Sequence, residues 1–342
     1  MSVDTLKEDI KNNRIRNLYL FYGPEEYLKK YYLESIEKSI LTEDLRALNK
    51  VVLEGKIDIR KIIDNCETLP VFSERKLVIV KYSGLFKTKG KTGNESKGKG
   101  KGQNDELLSY LENIPETTCL IFYEEEIDKR MKAVDTIKKN GLMVEFALQK
   151  PVELVKWVTK VFKSHKKDID ANTAAYLVDN SEQGMTDILN EINKLVLYLG
   201  DRTSVTIGDI EKVCTKSVKS RIFDLTDAIS EKNASKALKL LDEMVVLREP
   251  MPKILFMIAR QFRMILEMKL LAAEGIKQDQ AAGKMGITPY AAGKILKQTG
   301  GFTIDSLKEA VAECLKLDIA IKTGKIEDRI AAELLIAKFA LK

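Results

Sequence analysis

The sequence predicts an α/β unit built on a parallel sheet, followed by an all-α part. Three observations carry this. Five short apolar runs alternate with helical segments through the first 146 residues. Each run is rich in Val, Ile, Leu and aromatics, as strands covered on both faces are. After Lys150-Pro151 the strand pattern stops, and every later segment has helical period.

The predicted strands are 18-LYLFY-22, 50-KVVLE-54, 76-KLVIVK-81, 118-TCLIFY-123 and 142-LMVEF-146. Between them, 58-DIRKIIDNCET-68 sets Ile59, Ile62, Ile63 and Cys66 on one helical stripe. In 130-RMKAVDTIKKN-140, Met131, Val134 and Ile137 do the same, and Gly141 supplies the stop. Alternation of this kind gives a parallel sheet with helices on both sides. The insertion 87–104 has no hydrophobic period and is expected to be a mobile, solvated loop. Contact of its lysines with a nucleic-acid backbone is the alternative. The helices expected beyond it are 151–166, 170–180, 184–199 and 206–214, then 221–231, 233–247, 250–274, 278–285, 288–299, 303–323 and 327–341. Domain boundaries are expected to give 1–146, 147–216 and 217–342.

The formal net charge is +6, and 87–102 holds six Lys and one Glu, +5 of it. The rest of the chain is therefore near neutral, which argues against a broadly basic nucleic-acid-binding body. The four cysteines are far apart and form no CxxC, so buried thiols are expected, with neither disulfides nor a zinc site. Met1 is followed by a polar stretch and no apolar run is long enough to span a bilayer. A cytoplasmic protein without membrane contact is expected.

The segment 18-LYLFYGPEEYLKKYYLESI-36 has the strand–turn–helix form of a phosphate loop. Against the frame GxxxxGK[ST], Gly23 and Lys29 match. Leu28 replaces the second Gly, Lys30 replaces the magnesium-binding hydroxyl, and Pro24 removes a backbone donor. Glu25 and Glu26 place negative charge where phosphate would sit. Strand 76–81 runs into Tyr82-Ser83-Gly84, without the carboxylate an ATPase needs to hold magnesium. Lys29 thus reads as a coincidence or a relic. The single histidine, His165, lies at an exposed basic helix end, and the run 124-EEEID-128 reads as a solvated loop. No catalytic site, metal or cofactor is expected.

The degenerate strand-Gly-x-Glu start Tyr22-Gly23-Pro24-Glu25, the IARQFR segment and 285-MGITPYAAGKI-295 resemble the delta subunit of the bacterial DNA polymerase III clamp loader. The resemblance extends over nearly the whole chain. It implies a RecA-like, AAA+-type domain, a small helical lid and a helical collar that mediates oligomerisation. It places Asp187, in 184-GMTDILNEINKL-195, where the lid of an ATPase carries a phosphate-sensing Arg. It implies a subunit that binds the sliding clamp and opens or holds open its ring without ATPase activity of its own. Such a subunit is part of a DNA-directed DNA polymerase holoenzyme. ATPase subunits, a delta-prime subunit and primer–template DNA are then its partners.

The resemblance also places the clamp-binding element in 69-LPVFSERK-76, at Leu69, Pro70, Val71 and Phe72, with Arg75 following. Val-Phe stands here where the family carries Leu-Phe. Read from the residues alone, Leu69 and Phe72 could instead staple the preceding helix to the sheet. Lys322, Lys325 and Arg329 are the candidates for facing DNA. Two rival readings stand beside this one. In the first, 278-QDQAAGKMGITPYAAGKILKQ-298 is a helix-turn-helix, although its second helix lacks base-reading side chains in the first turn. In the second, the chain is a scaffold without DNA business.

Overall fold

The fold comes from a computed structural model that describes residues 2–87, 99–182 and 184–341. The chain divides into two units, Met1–Leu148 and Gln149–Lys342. No helix among the described residues is long and apolar enough to cross a membrane.

In the first unit the strands are β1 (Leu18–Tyr22), β2 (Lys50–Glu54), β3 (Lys76–Lys81), β4 (Thr118–Tyr123) and β5 (Leu142–Glu145). The helices are α1 (Ser2–Lys11), α2 (Glu26–Ile40), the short α3 (Arg46–Asn49), α4 (Ile59–Glu67), α5 (Lys99–Glu112) and α6 (Lys132–Asn140). All strand pairs are parallel and the order is β2-β3-β4-β1-β5. This is the RecA-like, AAA+-type arrangement.

The alternating side chains of β1 divide its burial between two cores. Tyr19 and Phe21 pack with Leu6 of α1 and with Tyr32, Leu33 and Ile36 of α2. Leu18, Leu20 and Tyr22 pack on the opposite face with Ile62 and Cys66 of α4, Leu107 and Leu111 of α5 and Val134 and Ile137 of α6. A strand covered on both faces has no polar side, which is why β1, β3 and β4 read as unbroken apolar runs. The edge strand β2 is only partly buried. Since β4 lies between β1 and β3, the C-terminal ends of β1 and β4 flank the crevice where an open α/β sheet binds its ligand.

Two expectations change here. Most of the expected mobile loop falls at residues 88–98, outside the described residues, but its last part is helical, since α5 begins at Lys99. The buried pair Leu107 and Leu111 anchors that helix, and it continues toward its N-terminus beyond them. The second change is α1, a helix where only a polar stretch was visible. Val3, Leu6 and Ile10 give it an apolar stripe.

The second unit is all helical. It begins with α7 (Pro151–Ser164), α8 (Ala171–Asn180), α9 (Met185–Leu199) and α10 (Ile207–Val213). It continues with α11 (Val218–Ser230), α12 (Ala234–Val246), α13 (Met251–Ala273), α14 (Gln278–Met285) and α15 (Pro289–Gln298), and ends with α16 (Ile304–Lys322) and α17 (Asp328–Ala340). The long α13 is the axis of the C-terminal core. It buries Ile254, Ile258, Phe262 and Ile265 at helical spacing, and α11, α15, α16 and α17 pack around it. Cys66, Cys119 and Cys314 are buried and Cys214 half-buried, all as free thiols.

Candidate functional site

The crevice at the end of β1 is closed by the protein's own groups. Gly23 has φ +118, and a side chain there would overlap the Phe146 carbonyl. Its N–H donates to the Glu125 carbonyl (3.0 Å) and the Glu25 N–H to the Phe146 carbonyl (3.0 Å). The Tyr27 N–H donates to the Glu25 carboxylate (3.3 Å), which caps α2. Donors that wrap phosphate in a working loop are thus engaged within the chain. Pro24 and Lys30 are exposed, Leu28 is half-buried, and Lys30 pairs loosely with Glu34 (4.0 Å).

Lys29 is not a bystander. Its side chain is fully buried, and its ammonium meets the Glu26 carboxylate at 2.5 Å and the Glu124 carbonyl at 3.1 Å. It also lies 4.6 Å from the centre of the Tyr123 ring. Glu26 accepts the Tyr123 hydroxyl as well (2.7 Å), while half-exposed at the mouth of the crevice. Burial first, and then this carboxylate, push the Tyr123 phenol well above its usual range. The Lys29 ammonium is therefore paired within the chain, to a carboxylate of α2. The fate of the other acidic residues also differs from expectation. Glu124 does not lie in a solvated loop: it is buried and accepts both the N–H (2.9 Å) and O–H (2.5 Å) of Ser83. No carboxylate follows β3 at Tyr82-Ser83-Gly84, as the sequence indicates.

The second place is the loop from α4 to β3. Leu69 is 73% exposed, Val71 42% and Phe72 88%. Leu69 and Phe72 therefore do not staple α4 to the sheet. Phe72 has φ +53, in the left-handed region that a bulky residue rarely adopts. Both flanks of the loop are tied down. Asn49, at the end of α3, accepts the Val71 N–H (2.7 Å) and donates to the Val71 carbonyl (2.8 Å). The Arg75 guanidinium donates to the carbonyls of Ile15 (2.7 Å), Arg16 (3.2 Å) and Thr118 (3.4 Å) and to the Asn17 side chain (2.5 Å). Ser73 Oγ donates to the Arg75 carbonyl (3.0 Å). A local sequence pattern locates the loop. It does not locate Asn49, which is 22 residues from Val71 along the chain.

The remaining predicted residues belong to the second unit. Asp187 sits exposed in the first turn of α9, and its carboxyl is raised by partial burial and by Glu182 and Glu191. Lys322 pairs with Asp318 (2.7 Å), and Arg329 pairs with Asp242 (2.8 Å) and Glu333 (2.9 Å). Lys325 is exposed in the turn after α16 and has no carboxylate in ion-pair range among the described residues. The helix-turn-helix reading fails on burial. Thr288 is fully buried and donates to Asp179 (2.5 Å), while Ala291, Ala292 and Ile295 of α15 are buried too. A recognition helix would present that turn to a DNA groove. No cluster of residues able to hold a metal ion occurs among the described residues.

A five-stranded parallel sheet of AAA+ type, with a buried Lys29–Glu26 pair after β1, followed by an all-helical unit, defines the class: an AAA+-like protein. The comparisons with known proteins agree. Residues 19–147 match the family described as DNA polymerase III, delta subunit, and residues 219–339 match the DNA polymerase III delta subunit, C-terminal domain. The DNA polymerase III subunit delta of Bacillus subtilis (strain 168) is 26% identical over 332 residues, 96% of this chain and 94% of that protein. The probable DNA polymerase III subunit delta of Aquifex aeolicus (strain VF5) is 21% identical over 278 residues, 79% of this chain and 75% of that one. The solved structure of the Bacillus subtilis DNA clamp loader delta protein aligns over 100% of both chains, with TM-score 0.52 and 25% identity. The chain belongs to the DNA polymerase III delta subunit family, the delta component of the clamp loader.

Proposed function

We propose that this subunit grips the sliding clamp through Leu69, Pro70, Val71 and Phe72, and opens or holds open one interface of the ring. The observation that carries this is the loop's geometry: an aromatic 88% exposed, in a left-handed backbone conformation, between two anchored flanks. An exposed large apolar side chain held out from the surface is suited to fill a pocket on a partner. ATP hydrolysis falls to neighbouring subunits, since the crevice at Gly23 already holds its own carboxylate. On this reading the partners are the clamp, the ATPase and delta-prime subunits, and primer–template DNA in the assembled loader. Lys325 is the basic residue best placed to touch DNA backbone, because Lys322 and Arg329 are neutralised locally.

Size-exclusion chromatography and titration with purified clamp test the proposal. The wild-type chain is expected to co-elute with the clamp. Phe72→Ala is expected to weaken binding by about 2 kcal/mol, roughly 30-fold, with the melting temperature unchanged. Unchanged affinity would remove Phe72 from the interface.

A further inference from the structure

The clamp-binding reading of the loop leaves open how a bulky residue is kept in a conformation it disfavours. Asn49 answers this. It is the last residue of α3, fully buried, and its carboxamide faces the backbone of Val71. The side-chain oxygen accepts the Val71 N–H at 2.7 Å, and the amide group donates to the Val71 carbonyl at 2.8 Å and the Leu45 carbonyl at 3.1 Å. A carboxamide that meets both the N–H and the C=O of one residue copies the paired bonds between strand neighbours. It fixes Val71 as a strand partner would, without a strand.

Phe72 follows directly, at φ +53. Backbone strain of this kind persists only where the surroundings over-determine it. Arg75 fixes the chain after Phe72, and Asn49 fixes it before. With Val71 released, Phe72 is free to relax to extended backbone, and its ring then leaves the outward orientation. Only the fraction of molecules that retains the outward ring binds at full strength, and the apparent affinity falls by that fraction. We infer that Asn49 is a positioning residue for clamp binding: it makes no contact with the clamp and acts by holding Phe72 outward. The inference rests on the clamp-binding reading of the loop.

The test combines amide exchange in the free chain with clamp titration of the wild type, Asn49→Ala, Phe72→Ala and the double variant. In Asn49→Ala, exchange at the Val71 amide accelerates, while amides in the β3 and β4 core keep their wild-type rates. Clamp affinity falls about tenfold. On the Phe72→Ala background the Asn49 change adds less than about twofold, because the residue it positions is already gone. Asn49→Asp has the same shape and keeps the acceptor for the Val71 N–H. Its second oxygen faces the Val71 and Leu45 carbonyls to which the amide donated, so Val71 exchange accelerates and clamp affinity falls at least as far as in Asn49→Ala. Wild-type exchange in the β3 and β4 core shows for each variant that it folds.

Full loss of affinity on top of Phe72→Ala would show that Asn49 acts elsewhere and overturn the inference, as would unchanged Val71 exchange in both Asn49 variants. A wild-type chain that fails to bind the clamp overturns the reading of the loop and the role of Asn49 in binding with it. The Val71 exchange rate then reports separately on whether Asn49 holds the loop.

Discussion

At the scale of single residues, the chain converts charges that look available into internal partners. Lys29 stands in the frame of a phosphate-binding lysine, and the sequence gives no reason to treat it as more than a relic. Its burial against Glu26, Glu124 and Tyr123 becomes visible only when β4 and α2 meet in space. Glu124 carries a measurable consequence. Burial raises its carboxyl above the usual range, although the hydrogen bonds from Ser83 and the Gly84 N–H pull the other way. A raised acid binds its proton more tightly folded than unfolded. The cost is absent below the unfolded value, about 4.3, sets in as pH rises toward the folded value, and is fully present above it. Glu124→Gln stays neutral and retains a carbonyl for both Ser83 donors. It is expected to melt above the wild type near pH 7, with the gap closing as pH falls toward about 4. Thermal melts across that range check this, and a variant less stable at every pH would refute it.

At the scale of elements, local signals were read where they are self-contained. The five strands fall where their apolar runs stand, within a residue or so, because burial on both faces leaves a run with no polar interruption. The helices of the second unit follow their period and caps closely, as with Pro151 opening α7 and Gly286, at φ +66, closing α14. The short stripe of α1 was legible in principle, but its three apolar positions are diluted by charge. What could not be read were partners distant in sequence: Asn49 for Val71, and Ile15, Arg16, Asn17 and Thr118 for Arg75. The same holds at the β1–α2 element. Sequence showed which phosphate-loop residues are missing. The structure shows where the donors went, to the Glu125 and Phe146 carbonyls and the Glu25 carboxylate. A nucleotide would have to break those bonds and displace Glu26 from Lys29. Titration of the purified chain with ATP and magnesium, followed by calorimetry, is therefore expected to give no saturable heat. A defined stoichiometric isotherm would contradict this reading of the crevice.

At the scale of the whole molecule, the side chains that bond the exposed loop, Asn49 and Arg75, lie in the first unit. The acceptors that hold Arg75 come from the α1–β1 connection, from Asn17 and from β4. That unit has apolar cores on both faces of its sheet, one under α1 and α2 and one under α4, α5 and α6. Its last strand pairs with β1 within the unit, so a chain ending at Leu148 leaves no strand of the sheet unpaired. Two faces of burial around a complete sheet meet the ordinary requirement for independent folding. Residues 1–148 produced alone are thus expected to melt cooperatively and to bind the clamp within about threefold of the full chain, a difference of less than about 1 kcal/mol. Parallel titrations of fragment and full chain, with amide exchange at Val71 to show that the loop is still held, decide the matter. A folded fragment with a protected Val71 that binds far more weakly would place part of the interface in the second unit, and Phe72 would then be one anchor among several.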